Sequence, residues 1–263
     1  FIFFINLYLT HIFLRLLTPY LRKNFLDIPN ERSSHASPIP TSGGISFVTL
    51  SSLFCFIIGN YLPLISTPLA IVGLIDDKYN LRKRFRFLAQ SITIIYIIYF
   101  YLISSNHFGD QLFKFSNIAF LIFLAILGVA IVNFMNFMDG IDGLISSCIS
   151  VLILLSIILE NDYSLLPLLA SILIFSFWNW SPAKIFMGDV GSTFLGAVLV
   201  GIIFNSSTFI NALKILIASS PLTGDACITV IRRFLNKENI FKPHKKQLFQ
   251  RLVMSGLSQN NVS

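Results

Sequence analysis

Apolar and polar residues in this chain come in blocks. Nine apolar stretches run at about residues 1–21, 43–59, 63–75, 88–104, 116–132, 144–159, 163–180, 190–204 and 209–230. A helix that crosses the hydrocarbon of a bilayer needs about 20 mostly apolar residues. The pattern therefore predicts an all-α polytopic membrane protein with about nine transmembrane helices, forming one domain over residues 1–263. A membrane β-barrel would show period-two alternation instead. Gly43 to Ile75 is short for two crossings, which predicts that Asp76 and Asp77 sit recessed at the membrane face. Pro63 suits the start of the second helix of that pair. Residues 27–44 are dense in Pro, Ser and Gly and read as a structured loop packed against a helix beginning near Gly43. No cleavable signal, fixed-period repeat or interdomain linker is visible. The chain opens inside an apolar run and ends in a polar tail, so it reads as incomplete at both ends.

Composition agrees. The chain is 55% hydrophobic and 12% charged, against about a quarter charged in soluble domains, and its mean hydropathy is +0.77. The positions of the basic residues add an orientation. Of 19 Lys and Arg, 16 fall in loops 22–42, 76–87 and 181–189 and in the tail after 231. The intervening loops hold only Lys114, while Arg15 and Lys214 lie within spans. The positive-inside rule makes the basic loops cytoplasmic. The net charge of +7 then reads as topology plus attraction to anionic headgroups or substrates. The basic residues are dispersed among loops, which argues against nucleic acid as a partner. Cys55, Cys148 and Cys227 have no ligand spacing and read as small core residues.

With that orientation, Asp76, Asp77, Asp139, Asp142 and Asp189 all stand at span ends on the cytoplasmic side. Carboxylates at the lip of a membrane helix are costly and usually functional. Asp76–Asp77 serve either as a helix stop with local ion pairs or as a metal-linked or proton-accepting pair. The run Asn133-x-x-Asn136-x-x-Asp139-Gly-x-Asp142-Gly has helical spacing, which predicts a polar stripe at the end of the fifth span. A capping turn is the plainer alternative. Hard oxygen donors of this kind suit Mg²⁺, which takes few protein ligands and completes its shell with phosphate oxygens. Asp189, in Phe186-Met187-Gly188-Asp189, stands at a helix start. It is either an N-cap or a metal ligand beside backbone N–H groups that face an anion. Phe186 packs in the core or stacks on a base. His244 belongs to a basic cluster able to hold a diphosphate. Asp225 closes the last apolar run, where it can join the cavity or pair with Arg232 or Arg233.

Five blocks then carry a family resemblance: DIPNERSSH (27–35), GLIDDKYNL with RFLAQ (73–90), NFMNFMDGIDGL (133–144), SPAKIFMGDVGSTFLG (181–196) and PHKKQLFQRL (243–252). Their order resembles the polyprenyl-phosphate sugar-1-phosphate transferases, the superfamily of phospho-N-acetylmuramoyl-pentapeptide transferase, and most of all its O-antigen-initiating subgroup. The resemblance implies that Asp76 and Asp77 lie near the lipid phosphate and the metal. It implies that Asn136 and Asp189 contact Mg²⁺, with Mn²⁺ as a substitute. It also puts Asn133, Asp139 and Asp142 on the nucleotide side, Phe186 against uracil and His244 on the diphosphate. Two positions depart from the subgroup. Gln247 stands where a second histidine is common, and Thr41–Ser42 stand where Arg-Gly often precedes the paired glycines.

The expected activity is transfer of a sugar-1-phosphate from a UDP-N-acetylhexosamine-type donor to undecaprenyl or similar polyprenyl phosphate, with release of UMP. Asp76, Asp77, Asp139 and His244 are the expected catalytic residues. Asn133, Asp142 and Phe186 are expected to bind substrate, and Asn136 and Asp189 to hold the metal. The expected setting is the bacterial inner membrane with a cytoplasmic active site, and helices rich in small residues allow a homodimer. A proton-coupled transporter predicts mid-span acids and an internal repeat, neither of which is present. An intramembrane aspartyl protease predicts Tyr-Asp and Gly-x-Gly-Asp settings, which are also missing.

Overall fold

The computed structural model describes residues 1–29, 37–104, 118–238, 247–257 and 261. The chain folds into helices α1 (Ile2–Asn24), α2 (Ile45–Ile57), α3 (Leu62–Tyr79), α4 (Lys83–Ser104), α5 (Ile118–Met138), α6 (Leu144–Glu160), α7 (Leu166–Asn179), α8 (Gly188–Phe204), α9 (Phe209–Ala218), α10 (Ser220–Leu235) and α11 (Leu248–Met254). A 3₁₀ turn (Tyr163–Leu165) precedes α7. Two short strands, β1 (Leu26–Asp27) and β2 (Ile39–Pro40), pair antiparallel.

Each apolar stretch is helical, but the last is two helices. α9 and α10 meet at 71° around Ser219, because Pro221 in the first turn of α10 brings no N–H to continue the ladder of α9. Among the described residues, α1, α4 and α5 are long and apolar enough to cross a membrane singly, and the bent α9–α10 pair makes a fourth candidate. The other apolar helices are shorter. α2, with 13 residues, reaches only about 20 Å. The chain is thus an all-α, multi-pass membrane protein, and the number of helices able to cross unaided is smaller than the number of apolar runs.

The core is built around α8, which is apolar on all sides and buried from Val190 to Ile202, as expected of a helix enclosed by others. α3, α5 and α4 make most of the contacts with it, and α2, α6 and α9 also pack against it. Phe47 of α2 lies between Phe175 and Phe194, with ring centroids 5.1 and 6.1 Å away. α1 packs on α7 through polar groups: Asn6 Nδ2 donates to Ser171 Oγ at 2.8 Å, and Thr10 Oγ1 donates to the same oxygen at 3.2 Å. Such bonds join helices where lipid gives no hydrophobic drive to association. The outward faces of α1, α4, α5 and α10 expose large apolar side chains such as Phe4, Leu16, Ile92, Ile126 and Phe234.

Candidate active site

The site begins with a close helix crossing. Gly73 of α3 lies against the backbone of Asp189, and a β-carbon there would strike the Asp189 carbonyl. The contact sets Asp76 and Asp77, about one turn further on, beside the first turn of α8. Asp77 Oδ1 accepts the Asp189 N–H at 2.8 Å, and its Oδ2 accepts Ser42 Oγ at 2.7 Å. The positive end of α8 therefore faces a carboxylate from the protein itself. Asp76 is rotated from Asp77 by about 100° on the helix and makes different contacts. Its Oδ1 accepts the Leu81 N–H at 2.6 Å and its Oδ2 pairs with Arg86 Nη1 at 2.6 Å. The two adjacent aspartates thus have separate pairs of partners.

Arg86 joins three of the singled-out residues. Beyond Asp76, its Nη1 lies 3.5 Å from Asp189 Oδ2, and its Nη2 donates to Asn136 Oδ1 at 3.3 Å. Asn136 Nδ2 in turn donates to Asp189 Oδ1 at 2.8 Å and Ser192 Oγ at 3.0 Å. Sequence reasoning counted Arg86 among the cytoplasmic charges, and allowed Asp76–Asp77 local ion pairs, but gave Arg86 no role in the site. A signal was present: Arg86 and Gln90 stand four apart on one face of α4. Gln90 is buried and exchanges amide hydrogen bonds with Asn133, whose Nδ2 donates to Gln90 Oε1 at 2.8 Å. Asn133 thereby ties α5 to α4 and is not among the residues lining the cavity described below.

The expected four-residue stripe is divided. α5 ends at Met138, so Asn133 and Asn136 are helical while Asp139 and Asp142 lie in the following turn. The glycines cause this. Gly140 N–H folds back to the Met138 carbonyl at 2.8 Å, and Gly143 takes φ +78°, a conformation that Gly adopts without strain. Asp142 Oδ2 accepts the Ala183 N–H at 3.0 Å, and Asn179 Oδ1 accepts the Gly143 N–H at 3.0 Å. Asn179 also donates to the Ile185 carbonyl at 3.0 Å. These bonds join the 139–143 turn to the 180–186 loop. That loop is fixed from the other side by backbone bonds from Phe186 N–H to Pro40 O and from Gly43 N–H to Phe186 O, both 2.8 Å.

These segments enclose a cavity of about 550 Å³. Asp76, Asp77, Asp139, Asp142 and Asp189 all line it, as does Asp27. Phe186, Asn179, Ile141, Thr41, Asn80 and Gln250 complete much of the wall. Among the described residues Arg86 is the one basic side chain in that lining. Burial, and after it the charges of Asp189, Asp77, Asp142 and Asp27, push the Asp139 carboxyl well above the usual carboxylate range. Among the described residues no three His, Cys, Asp or Glu side chains come together tightly enough to hold a metal ion by themselves. Asp225 accepts the Leu248 N–H with both oxygens, at 2.9 and 3.1 Å. It thus caps α11, which carries Gln250, rather than joining the cavity. His244 lies outside the described residues.

The family model for Glycosyl transferase family 4 matches residues 60–207, a segment that includes the acidic residues 76 to 189. The chain belongs to glycosyl transferase family 4. Within the family, it is 32% identical over 254 residues to a probable undecaprenyl-phosphate N-acetylglucosaminyl 1-phosphate transferase of Bacillus subtilis, covering 89% of this chain and 71% of that protein. It is 31% identical to an undecaprenyl-phosphate alpha-N-acetylglucosaminyl 1-phosphate transferase of Thermotoga maritima, over 86% of this chain and 72% of that one. A phospho-N-acetylmuramoyl-pentapeptide-transferase of Dictyoglomus turgidum is 31% identical, over 70% and 64% respectively.

Proposed function

We propose that this chain transfers a sugar-1-phosphate from a UDP-N-acetylhexosamine-type donor to undecaprenyl or a similar polyprenyl phosphate, releasing UMP and starting an O-antigen or related envelope glycan. The observation that carries the proposal is the charge of the cavity: among the described residues, six aspartates and one arginine line about 550 Å³ at the ends of apolar helices. Both substrates are phosphate anions. Coulomb repulsion at short range in a poorly solvated site is worth several kcal/mol, so neither enters such a cavity without compensating cations.

The donor set fits Mg²⁺, or Mn²⁺ in its place. It is all oxygen, and its sparseness suits a cation that binds one or two carboxylates and takes phosphate oxygens for the rest. Asp189 and Asn136 are the residues proposed to hold it. When bound, the cation neutralises charge on the diphosphate and on the departing UMP. The protein's own groups do the positioning. Arg86 holds Asp189, Asn136 and Asp76 in one arrangement. Asp77, with both oxygens already accepting hydrogen bonds, fixes the start of α8 against α3. Phe186, on the cavity wall, suits stacking on the uracil ring. Asp142 holds the loop that carries Phe186, and Asp139 and His244 are assigned to the diphosphate side.

No carboxylate nucleophile is needed. A phosphate monoester has a second pKa of about 6, so the lipid phosphate is already a dianion near neutral pH. Its oxygen attacks the β-phosphorus of the donor directly, in line with the departing UMP, and phosphoryl transfer of this kind rests on positioning and charge stabilisation. Asp76, paired to Arg86, then orients the acceptor. An apolar groove of about 500 Å³ between α4 and α5 supports a lipid acceptor, since it is lined from Phe87, next to Arg86, to Leu102 on α4 and from Val129 to Ile118 on α5. The proposed setting is the bacterial inner membrane, with the cavity on the cytoplasmic side, the short helices completing about nine crossings, and a homodimer as the assembly. The test is to incubate purified protein with polyprenyl phosphate, Mg²⁺ and a panel of UDP-sugars and to measure UMP. Release that depends on both lipid and one UDP-sugar is expected, and release from none of the panel contradicts the proposal.

A further inference from the structure

A second concave site lies beside the acidic cavity and has the opposite charge. Thr229, Arg232, Arg233, Asn236 and Glu238 from the end of α10 and the turn after it, together with Arg251 of α11, enclose about 180 Å³. Arg233 is buried and donates through Nε to Glu238 Oε2 at 3.2 Å. Among the described residues, three arginines against one glutamate give the lining a formal charge of +2. The carbonyl end of α10 explains some attraction for cations, but it does not explain why Arg251 is brought from another helix into the same pocket. Like charges that converge on a concavity call for an anion, and guanidinium groups match phosphate oxygens in fork geometry.

The surroundings indicate where that phosphate comes from. Ile228, Ile231, Phe234 and Leu235 of α10, which flank the arginines in sequence, are all exposed. In a membrane protein such a surface faces acyl chains, so the pocket opens where a charged headgroup and apolar tails occur together. We infer that this pocket binds the phosphate of an anionic phospholipid, distinct from the substrates of the acidic cavity. Binding also bears on α11. Its Gln250 lines the acidic cavity and its Phe249 packs near Gly140, while the adjacent Arg251 faces the arginine pocket. A headgroup there ties α11 to the end of α10.

The test uses the whole protein in nanodiscs and reads binding rather than transfer, so its failure is separable from failure of the proposed reaction. Discs of phosphatidylcholine alone are compared with discs containing phosphatidylglycerol, by thermal midpoint and by native mass spectrometry of retained lipid. The variant is Arg232→Gln with Arg251→Gln, both exposed in the fold, which leaves the buried Arg233–Glu238 pair intact. Arg82→Gln, in the α3–α4 turn, controls for general surface charge. Phosphatidylglycerol is expected to raise the midpoint of the wild type and of Arg82→Gln by a few degrees. The double variant should lose most of that gain and its retained phosphatidylglycerol. The inference is overturned if the double variant keeps the full gain or if Arg82→Gln loses as much. It is also overturned if inorganic phosphate in phosphatidylcholine discs gives the same gain, since the ligand is then a soluble anion.

Discussion

Two cavities flank α11 and carry opposite charge. Among the described residues, one is lined by six aspartates and a single arginine, the other by three arginines and a single glutamate. They lie on the same short helix, through Gln250 and Arg251, yet they face the same problem of handling phosphate in different ways. The arginine pocket can take an anion directly, and the anion alone relieves its charge. The acidic cavity repels one, and on the reading proposed above a divalent cation would have to offset the charge of any phosphate that enters. The difference suits a reaction centre in one case and a standing attachment in the other.

The largest test of this contrast is to reduce the acidic charge at its centre. Asp189→Asn should lower kcat at least about a hundredfold while the protein still folds, measured as labelled sugar entering the lipid fraction of membranes. Unchanged label would mean that the acidic charge is incidental. Arg86→Met removes the basic side chain that the described lining holds and leaves Asp76, which is 6% exposed, without its ion-pair partner. A stability loss of about 2–3 kcal/mol is expected, measured by thermal unfolding in detergent and accompanied by loss of activity. Arg86→Lys should recover less than half of the loss, because a single ammonium cannot reach Asp76, Asp189 and Asn136 together.

Gly73→Ala tests whether the contact between α3 and α8 sets the cavity. The added methyl meets the Asp189 backbone, and about 1–3 kcal/mol of destabilisation is expected from forcing the helices apart. Activity should fall even in the fraction that remains folded, because the Asp77 to Asp189 bond is lost. The smallest effect has the opposite sign. Asp139 has a folded-state pKa raised above its unfolded value, so the folded state binds more protons. Stability contributed by this group therefore falls as pH rises from the ordinary carboxylate pKa through the raised value. In metal-free protein, Asp139→Asn should be more stable than wild type at neutral pH, and the two should converge in acid. Thermal midpoints across that range decide it, and an Asn variant that is less stable at neutral pH contradicts a cost from burial and from the neighbouring carboxylates.

The sequence made the acidic residues legible because each stands where an apolar run stops, a position where charge is conspicuous. Their meeting in one cavity follows from that placement plus the pairing of α3 with α8, which rests on Gly73 and has no local signal. Arg86, Gln90, Asn179 and Gln250 were harder to find. Arg86 pairs with Asp76 ten residues away, but it, Gln90 and Asn179 also act through partners at least 36 residues distant, and Gln250 is placed through a helix cap made by Asp225. Side-chain periodicity within one helix cannot report such pairings. The stripe from Asn133 to Asp142 was read as one helix face because helical spacing is insensitive to a turn closed by Gly140 and Gly143. The break at Ser219 was missed for a different reason. The apolar run continues through it, and only Pro221 marks that the backbone ladder stops.

The account depends on a divalent cation entering the acidic cavity with the diphosphate. Mn²⁺ is a direct probe, since its electron paramagnetic resonance signal reports free ion in the presence of protein. With the UDP-sugar present, the wild type should bind Mn²⁺ at one site, and Asp189→Asn should lose that binding under the same conditions. Equal Mn²⁺ binding by the two proteins would contradict the claim.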